Sequence, residues 1–222
     1  MNQSRIIIVD DHPLFRDAMK LSLGPALPDV AIAEAGSLDE VARQLDDDGD
    51  CDLVLLDLKM PGVQGLSGLA YLRAQYAGIP IAIVSGQEEP AIMRRALALG
   101  ASGFIPKSTP AEQIRQAVKT ILNGEIWAPA VIAEPTAEER EVDDLSKRLA
   151  TLTPQQVRVL MMLREGLLNK QIAYALDVSE ATVKAHVSAI LLKLNVDSRT
   201  QAVIAASKID GESVLELGLE SL

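Results

Sequence analysis

Asp10-Asp11, Asp57, Ser85 and Lys107 are the residues of this 222-residue chain whose types and spacing could do chemistry together. Each lies just beyond a short apolar run: Ile6–Val9, Leu53–Leu56, Ile81–Val84 and Phe104–Ile105. If those runs are parallel strands, the polar residues gather at carboxyl ends, where open α/β sheets form their ligand crevice. Three carboxylates brought together repel one another, so they need a cation or shifted pKa values. A hard divalent ion with oxygen ligands suits them, and Mg²⁺ is the usual choice beside phosphate. A carboxylate can itself be a nucleophile and form an aspartyl phosphate. Lys107 would then supply positive charge to the phosphoryl oxygens, and Ser85 a hydroxyl donor.

Competing chemistries fit less well. A dinucleotide site needs a glycine-rich turn after the first strand to approach a pyrophosphate, and Asp10-Asp11 would repel that group. Gly62, Gly65 and Gly68 have the wrong place and spacing for it and read as loop glycines. An aspartyl-phosphate hydrolase usually carries a second aspartate two residues after the nucleophile, where this chain has Lys59. His12 borders the crevice and reads as a surface or helix-start residue.

The elements that must position these residues alternate. Apolar runs at Ile6–Val9, Val30–Ala33, Leu53–Leu56, Ile81–Val84 and Phe104–Ile105 are separated by amphipathic segments. Those segments are Pro13–Leu23, Leu38–Leu45, Leu66–Ala74, Ala91–Leu99 and Pro110–Leu122. Ser37 with Glu40, and Thr109 with Glu112, have capping-box spacing. The alternation predicts an α/β doubly wound, five-stranded parallel sheet covered on both faces. Trp127-Ala128-Pro129 and Glu134-Pro135 read as linker. Thr136 with Glu139 opens a charged helix whose Val142, Leu145, Leu149 and Leu152 fall at coiled-coil spacing. Two heptads are too few for a coiled coil, so the expectation is a helix docked on its neighbour.

Farther on, Thr153 to Gln156 caps a helix running to Glu165, and a short helix spans Asn169–Leu176. Asp177-Val178-Ser179 makes a turn into a long helix, Glu180–Leu194, and Ser198 with Gln201 starts a last one through about Lys208. Two helices joined by a three-residue turn, among four in under sixty residues, read as a small all-α four-helix, helix-turn-helix module. On a 3.6-residue wheel Val183, Val187, Ile190, Leu191 and Leu194 share the core face. Ala181, Lys184, Ala185, Ser188 and Leu192 lie on the other, which could enter the major groove of DNA. Lys170, Thr182 and Arg199 are candidate phosphate contacts. The plainer reading of the same residues is a solvated helical face.

Charge and composition set bounds. The chain carries a net charge of −10, yet residues 151–210 hold seven basic against five acidic side chains, so any nucleic-acid contact is expected there. With 48% hydrophobic and 23% charged residues, disorder and fibrous repeats are excluded. The single cysteine, Cys51, rules out an internal disulfide framework or a thiolate zinc cage. No run approaches the ~18 apolar residues of a membrane span. The stretch from Met1 to Asp11 lacks a long apolar signal segment, so a cytoplasmic location is expected, with no membrane partner. The tail 211–222, with Val214, Leu215, Leu217, Leu219 and Leu222, is expected to pack on its own domain or on a partner.

The acidic pair, Asp57-Leu58-Lys59-Met60-Pro61-Gly62, Ser85 and Lys107 resemble, in order and spacing, a bacterial response-regulator receiver domain over residues 4–123. That resemblance implies a flavodoxin-like sheet, with Asp57 as phosphoacceptor. It implies Mg²⁺ held directly by Asp11, through water by Asp10, and also by Asp57 and the backbone carbonyl of Lys59. Ser85 and Phe104 take the switch positions; Phe104 stands where tyrosine is more frequent, and Ser108 where many receivers have proline. Leu152-Thr153, Glu165-Gly166, Asn169 to Ala173, Val178-Ser179 and Thr182 to His186 resemble the LuxR-type output domain. With a receiver in front, the whole is similar to the NarL/FixJ class of response regulators. The family implies base contacts by Lys184, Ala185 and Ser188, with His186 on the flank, packing or touching phosphate. It implies dimerisation through Arg199–Lys208, a sensor histidine kinase as phosphodonor, and double-stranded promoter DNA bound by a homodimer when phosphorylated. No enzyme is implied beyond self-phosphorylation and self-dephosphorylation. The expected domains are a receiver at 1–123, a partly helical linker at 124–150, the DNA-binding module at 151–210 and an extension at 211–222. Leu192 and the modest positive charge leave open an alternative in which the module binds protein or RNA.

Overall fold

The structure is a computed structural model that describes residues 4–47, 50–61, 63, 65–129 and 136–210. The tail 211–222 and Glu134-Pro135 of the expected linker lie outside the described residues. The chain divides into two compact units, Met1–Glu134 and Pro135–Leu222.

In the first unit, β1 (Ser4–Val9), β2 (Val30–Ala35), β3 (Leu53–Leu56), β4 (Ile81–Ser85) and β5 (Gly103–Pro106) alternate with five helices. These are α1 (Pro13–Leu23), α2 (Leu38–Asp47), α3 (Ser67–Gln75), α4 (Pro90–Ala98) and α5 (Ala111–Leu122). The five-stranded sheet is parallel, in the order β2-β1-β3-β4-β5. Its strands are near-continuous aliphatic runs because both faces are covered. Ile6, Ile8, Leu53, Leu55, Ala82, Val84 and Ile105 form one core with Met19 and Leu23 of α1 and Ile114, Ala117, Val118 and Ile121 of α5. The alternating residues Ile7, Val54, Leu56, Ile83 and Phe104 are as fully buried and point to the opposite face.

Three local expectations need correction. Ser37 caps α2, its Oγ accepting from Glu40 N–H at 3.2 Å, but the Glu40 carboxylate reaches past it to Gly36 N–H at 2.7 Å. The Thr109–Glu112 box does not form, for Pro110 is the N-cap of α5 and makes no side-chain cap. The Glu112 carboxylate pairs instead with Arg115. Gly68 is no loop glycine: it lies inside α3, where an added Cβ would come within 2.9 Å of Val63 Cγ1.

Trp127 is more than linker. Its carbonyl accepts from Phe104 N–H at 2.9 Å and its own N–H donates to Ser102 O at 3.2 Å, so it forms a parallel bridge with Gly103. Gly103 permits that approach, since a Cβ there would stand 2.8 Å from Trp127 O and 2.7 Å from Ile121 Cδ1. A single bridging residue leaves no periodic pattern to read.

The second unit holds α6 (Ala137–Leu149), α7 (Pro154–Arg164), α8 (Asn169–Ala175), α9 (Glu180–Leu194) and α10 (Arg199–Asp210). Thr136–Glu139 and Thr153–Gln156 are complete capping boxes. The expected docking of α6 holds: it packs on α9 and α10, with Leu149 and Leu152 buried. The turn between α8 and α9 passes through Asp177 at φ 52°, and Ser179 caps α9 by accepting from Thr182 N–H at 3.1 Å.

Candidate functional site

Sheet register builds the acidic pocket. Val9 pairs with Leu56, so the next residues on each strand, Asp10 and Asp57, leave the sheet side by side at the point where strand order reverses. Asp57 N–H donates to Val9 O at 2.9 Å, and Lys107 N–H to Ser85 O at 2.8 Å, which ties the end of β3 to β1 and the end of β5 to β4. Asp10, Asp57 and Ser85 are buried. The Lys107 ammonium bridges the carboxylates, 2.6 Å from Asp10 Oδ2 and 3.0 Å from Asp57 Oδ2. Ser85 Oγ accepts from Gln87 N–H at 3.1 Å, and Phe104 is wholly buried.

The electrostatics follow from burial. Loss of solvent pushes the Asp57 carboxyl above its ordinary range, more than the Lys107 ammonium and the Lys59 backbone N–H pull it down. Lys107 stands above its usual value: burial opposes its charge, but Asp10 and Asp57 together outweigh that. Three carboxylates against one ammonium leave the pocket two negative charges.

Oxygen donors wait there. Asp10, Asp11, Asp57 and His12 each offer an atom, all within 4.8 Å of one another. Asp11 Oδ1 and Asp57 Oδ2 are buried with no partner in hydrogen-bonding geometry, though His12 Nδ1 lies 2.7 Å from the first and Lys107 Nζ 3.0 Å from the second. His12 Nδ1 is turned onto Asp10 and Asp11, at 3.1 and 2.7 Å, and is itself exposed. The three aspartate carboxylates of this group, set against a single ammonium, fit a hard divalent cation that takes oxygen ligands.

Two supporting residues escape a reading of the sequence. The Phe15 ring lies under Lys107, its centroid 4.4 Å from Nζ, a cation–π contact that holds the ammonium over the pocket. Arg16 donates to the Asp10 carbonyl and pairs with Glu34 of β2 at 2.9 Å. Their only signal was a position on the first turn of α1, one turn beyond the acidic pair.

On the second unit Ala181, Thr182, Lys184, Ala185, Ser188 and Leu192 are all exposed along α9, and Lys170 is exposed on α8. Val183, Ile190 and Leu194 are buried on the other side, while Val187 and Leu191, expected in the core, are half-buried. His186 is half-buried, at the flank. Thr182 Oγ1 lies 2.9 Å from Ser179 Oγ. Arg199 is engaged internally, donating to Leu167 O. Lys193 likewise turns inward, to Thr151 O at 2.7 Å and Gln156 Oε1 at 2.8 Å. Among the described residues of this face, Lys170 and Lys184 are the cations that project outward.

Two family profiles match the chain: the response regulator receiver domain over residues 6–119, and the bacterial regulatory proteins of the luxR family over residues 150–206. The glycerol metabolism activator of Pseudomonas putida is 42% identical over 212 residues, 93% of this chain and 96% of that protein. The nitrate/nitrite response regulator NarL of Escherichia coli K12 is 34% identical over 210 residues, 90% and 93% of the two chains. In fold the chain resembles RcsB of Salmonella enterica serovar Typhimurium, solved bound to a promoter with phosphomimetic BeF₃⁻. That match has a TM-score of 0.55 and 23% identity, and covers 94% of this chain and all of that one.

The chain belongs to the response regulators of the NarL/FixJ class, with a receiver followed by a LuxR-type helix-turn-helix. It is a phosphorylation-regulated, DNA-binding transcriptional regulator rather than a member of a catalytic family. Among the described residues no helix is long and apolar enough to cross a membrane.

Proposed function

We propose that Asp57 is the phosphoacceptor. The observation that carries this is a buried carboxylate 3.0 Å from Lys107, at the sheet's switch point and beside two further aspartates. An Asp57 carboxylate oxygen attacks phosphorus, the phosphorus–nitrogen bond of a phosphohistidine on a sensor kinase breaks, and the imidazole, already protonated on its other ring nitrogen, leaves neutral with the bond's electron pair. Lys107 moves its charge from the carboxylates to the phosphoryl oxygens, and Ser85 donates its hydroxyl to the same group. Asp10, Asp11, Asp57 and the Lys59 carbonyl would hold Mg²⁺, which would supply positive charge to the transferred group. Self-dephosphorylation would be attack by water on the same phosphoryl group, returning the Asp57 carboxylate and inorganic phosphate.

The output side follows the same logic. Lys184, Ala185 and Ser188 face base edges, Lys170, Thr182 and the flanking His186 lie toward phosphates, and Arg199 supports the α7–α8 loop from within. Arg199–Lys208 supplies the homodimer contact, and phosphorylation favours the pair bound to double-stranded promoter DNA in the cytoplasm. The working domains are the receiver at 1–123, a linker at 124–150 and the module at 151–210.

Incubation with acetyl phosphate and Mg²⁺ tests the acceptor. One hydroxylamine-labile phosphoryl group per chain is expected, absent from Asp57→Asn and strongly reduced on chelating the metal. Undiminished labelling of that variant at a carboxylate rejects the assignment.

A further inference from the structure

The reading face of α9 contains a residue with no role so far. Leu192 is 82% exposed, and it follows Ser188 by four residues and Lys184 by eight, so the three stand in one row along the helix. At 3.6 residues per turn it falls angularly between Ser188 and Ala185, in the middle of the exposed strip that also holds Ala181. Isolated apolar residues on a surface are ordinary; this one sits at the centre of a face meant for DNA. The cations that could have served the same end of the helix are turned away, Lys193 onto Thr151 O and Gln156 Oε1 and Arg199 onto Leu167 O. Beyond Ser188, the fully exposed side chain that α9 presents is Leu192.

We propose that Leu192 is a specificity residue that reads thymine. In the major groove thymine alone presents a methyl group, and an apolar side chain packs on it. Facing cytosine, the same leucine would leave the exocyclic amine without a partner, which is costly once water is excluded. Lys184 and Ser188 then read by hydrogen bond at the first two turns of the row, and Leu192 reads by shape one turn farther. The inference rests on the reading face proposed above.

The test begins with double-stranded DNA of randomised core sequence, from which the full-length phosphorylated chain selects its site. That site is resynthesised with uracil in place of one thymine at a time, which deletes only the methyl. Burying one methyl corresponds to roughly fourfold in an equilibrium constant. At one thymine per half-site, uracil is expected to weaken binding by about that factor for the parent and not at all for Leu192→Ala. Leu192 is exposed and alanine a better helix former, so this variant keeps the fold. Leu192→Lys is expected to bind selected and scrambled DNA alike more tightly, with a salt slope steeper by about 0.9 per module. Equal uracil penalties in parent and Leu192→Ala, or an unchanged slope in Leu192→Lys, overturn the proposal and mark Leu192 as facing away from DNA. If Lys184→Ala also leaves every curve unchanged, the reading face itself is wrong; if it weakens binding, the inference about Leu192 fails alone.

Discussion

Asp57, the proposed phosphoacceptor, costs stability where it is buried. Burial holds its carboxyl above the ordinary 3.8, so the unfolded chain gives up this proton at lower pH than the folded one does. Between those two values the folded state binds more protons, and stability falls as pH rises. Above the higher value the full deficit remains. Asparagine carries none of it. In a chelator, Asp57→Asn is therefore expected to resist urea better than the parent at pH 7, with the margin closing as pH falls through the raised value and gone below 3.8. A margin independent of pH, or a parent more stable at neutral pH, contradicts the account. At this scale the sequence showed the acids, the lysine and the serine, because a carboxylate at a strand end is legible from pattern. It did not show Phe15 under Lys107 or Arg16 on the Asp10 carbonyl, because which helix residues meet a strand end depends on how α1 lies across the sheet.

Helix starts separate local signal from tertiary outcome. Thr109–Glu112 and Thr153–Gln156 have similar spacing, yet Thr153 accepts from Gln156 N–H at 3.4 Å with the reciprocal bond at 3.0 Å, and Thr109 caps nothing in α5. Thr153→Ala is expected to cost about 1 kcal/mol, and Thr109→Ala a few tenths at most, by denaturant unfolding of each unit. Equal costs would mean the caps do not differ as described. The α6 stripe was legible as a docked helix from its short length, and it packs on α9 and α10. Trp127 was not legible as a sheet neighbour. Its bridge to β5 needs only two backbone hydrogen bonds and a glycine opposite, which no periodicity announces.

The whole molecule must convert one phosphoryl group into DNA binding. Moving a two-state equilibrium from 1:99 to 99:1 takes about 5.5 kcal/mol, and one hydrogen bond to a charged group supplies about 1.5–3 kcal/mol. On the proposed roles Ser85 is insufficient alone, and Lys107 and pairing of two chains are expected to contribute. Phosphorylated Lys107→Ala is expected to bind its site at least tenfold more weakly than the phosphorylated parent; equal affinities would refute the arithmetic. Salt dependence reports the DNA face. Lys184→Ala is expected to reduce the slope by about 0.9 per module. Lys193→Ala should leave it unchanged while lowering stability by about 1 kcal/mol, because its ammonium is spent on Thr151 and Gln156. A reduced slope in the second variant would put Lys193 on the DNA.

The sequence by itself determined the alternation of strands and helices, the five polar residues at strand ends and the helix-turn-helix, because each is written in local periodicity, caps and turns. The tertiary structure decided which of those residues act together. Lys107 lies 97 positions from Asp10, and only the order β2-β1-β3-β4-β5 brings its ammonium between two buried carboxylates. It likewise decided which cations project outward, since Lys170 and Lys184 differ from Lys193 and Arg199 not in type but in what lies within reach of a long side chain. Contact across the chain is a property of packing, and a side chain's partner is fixed only when packing is complete.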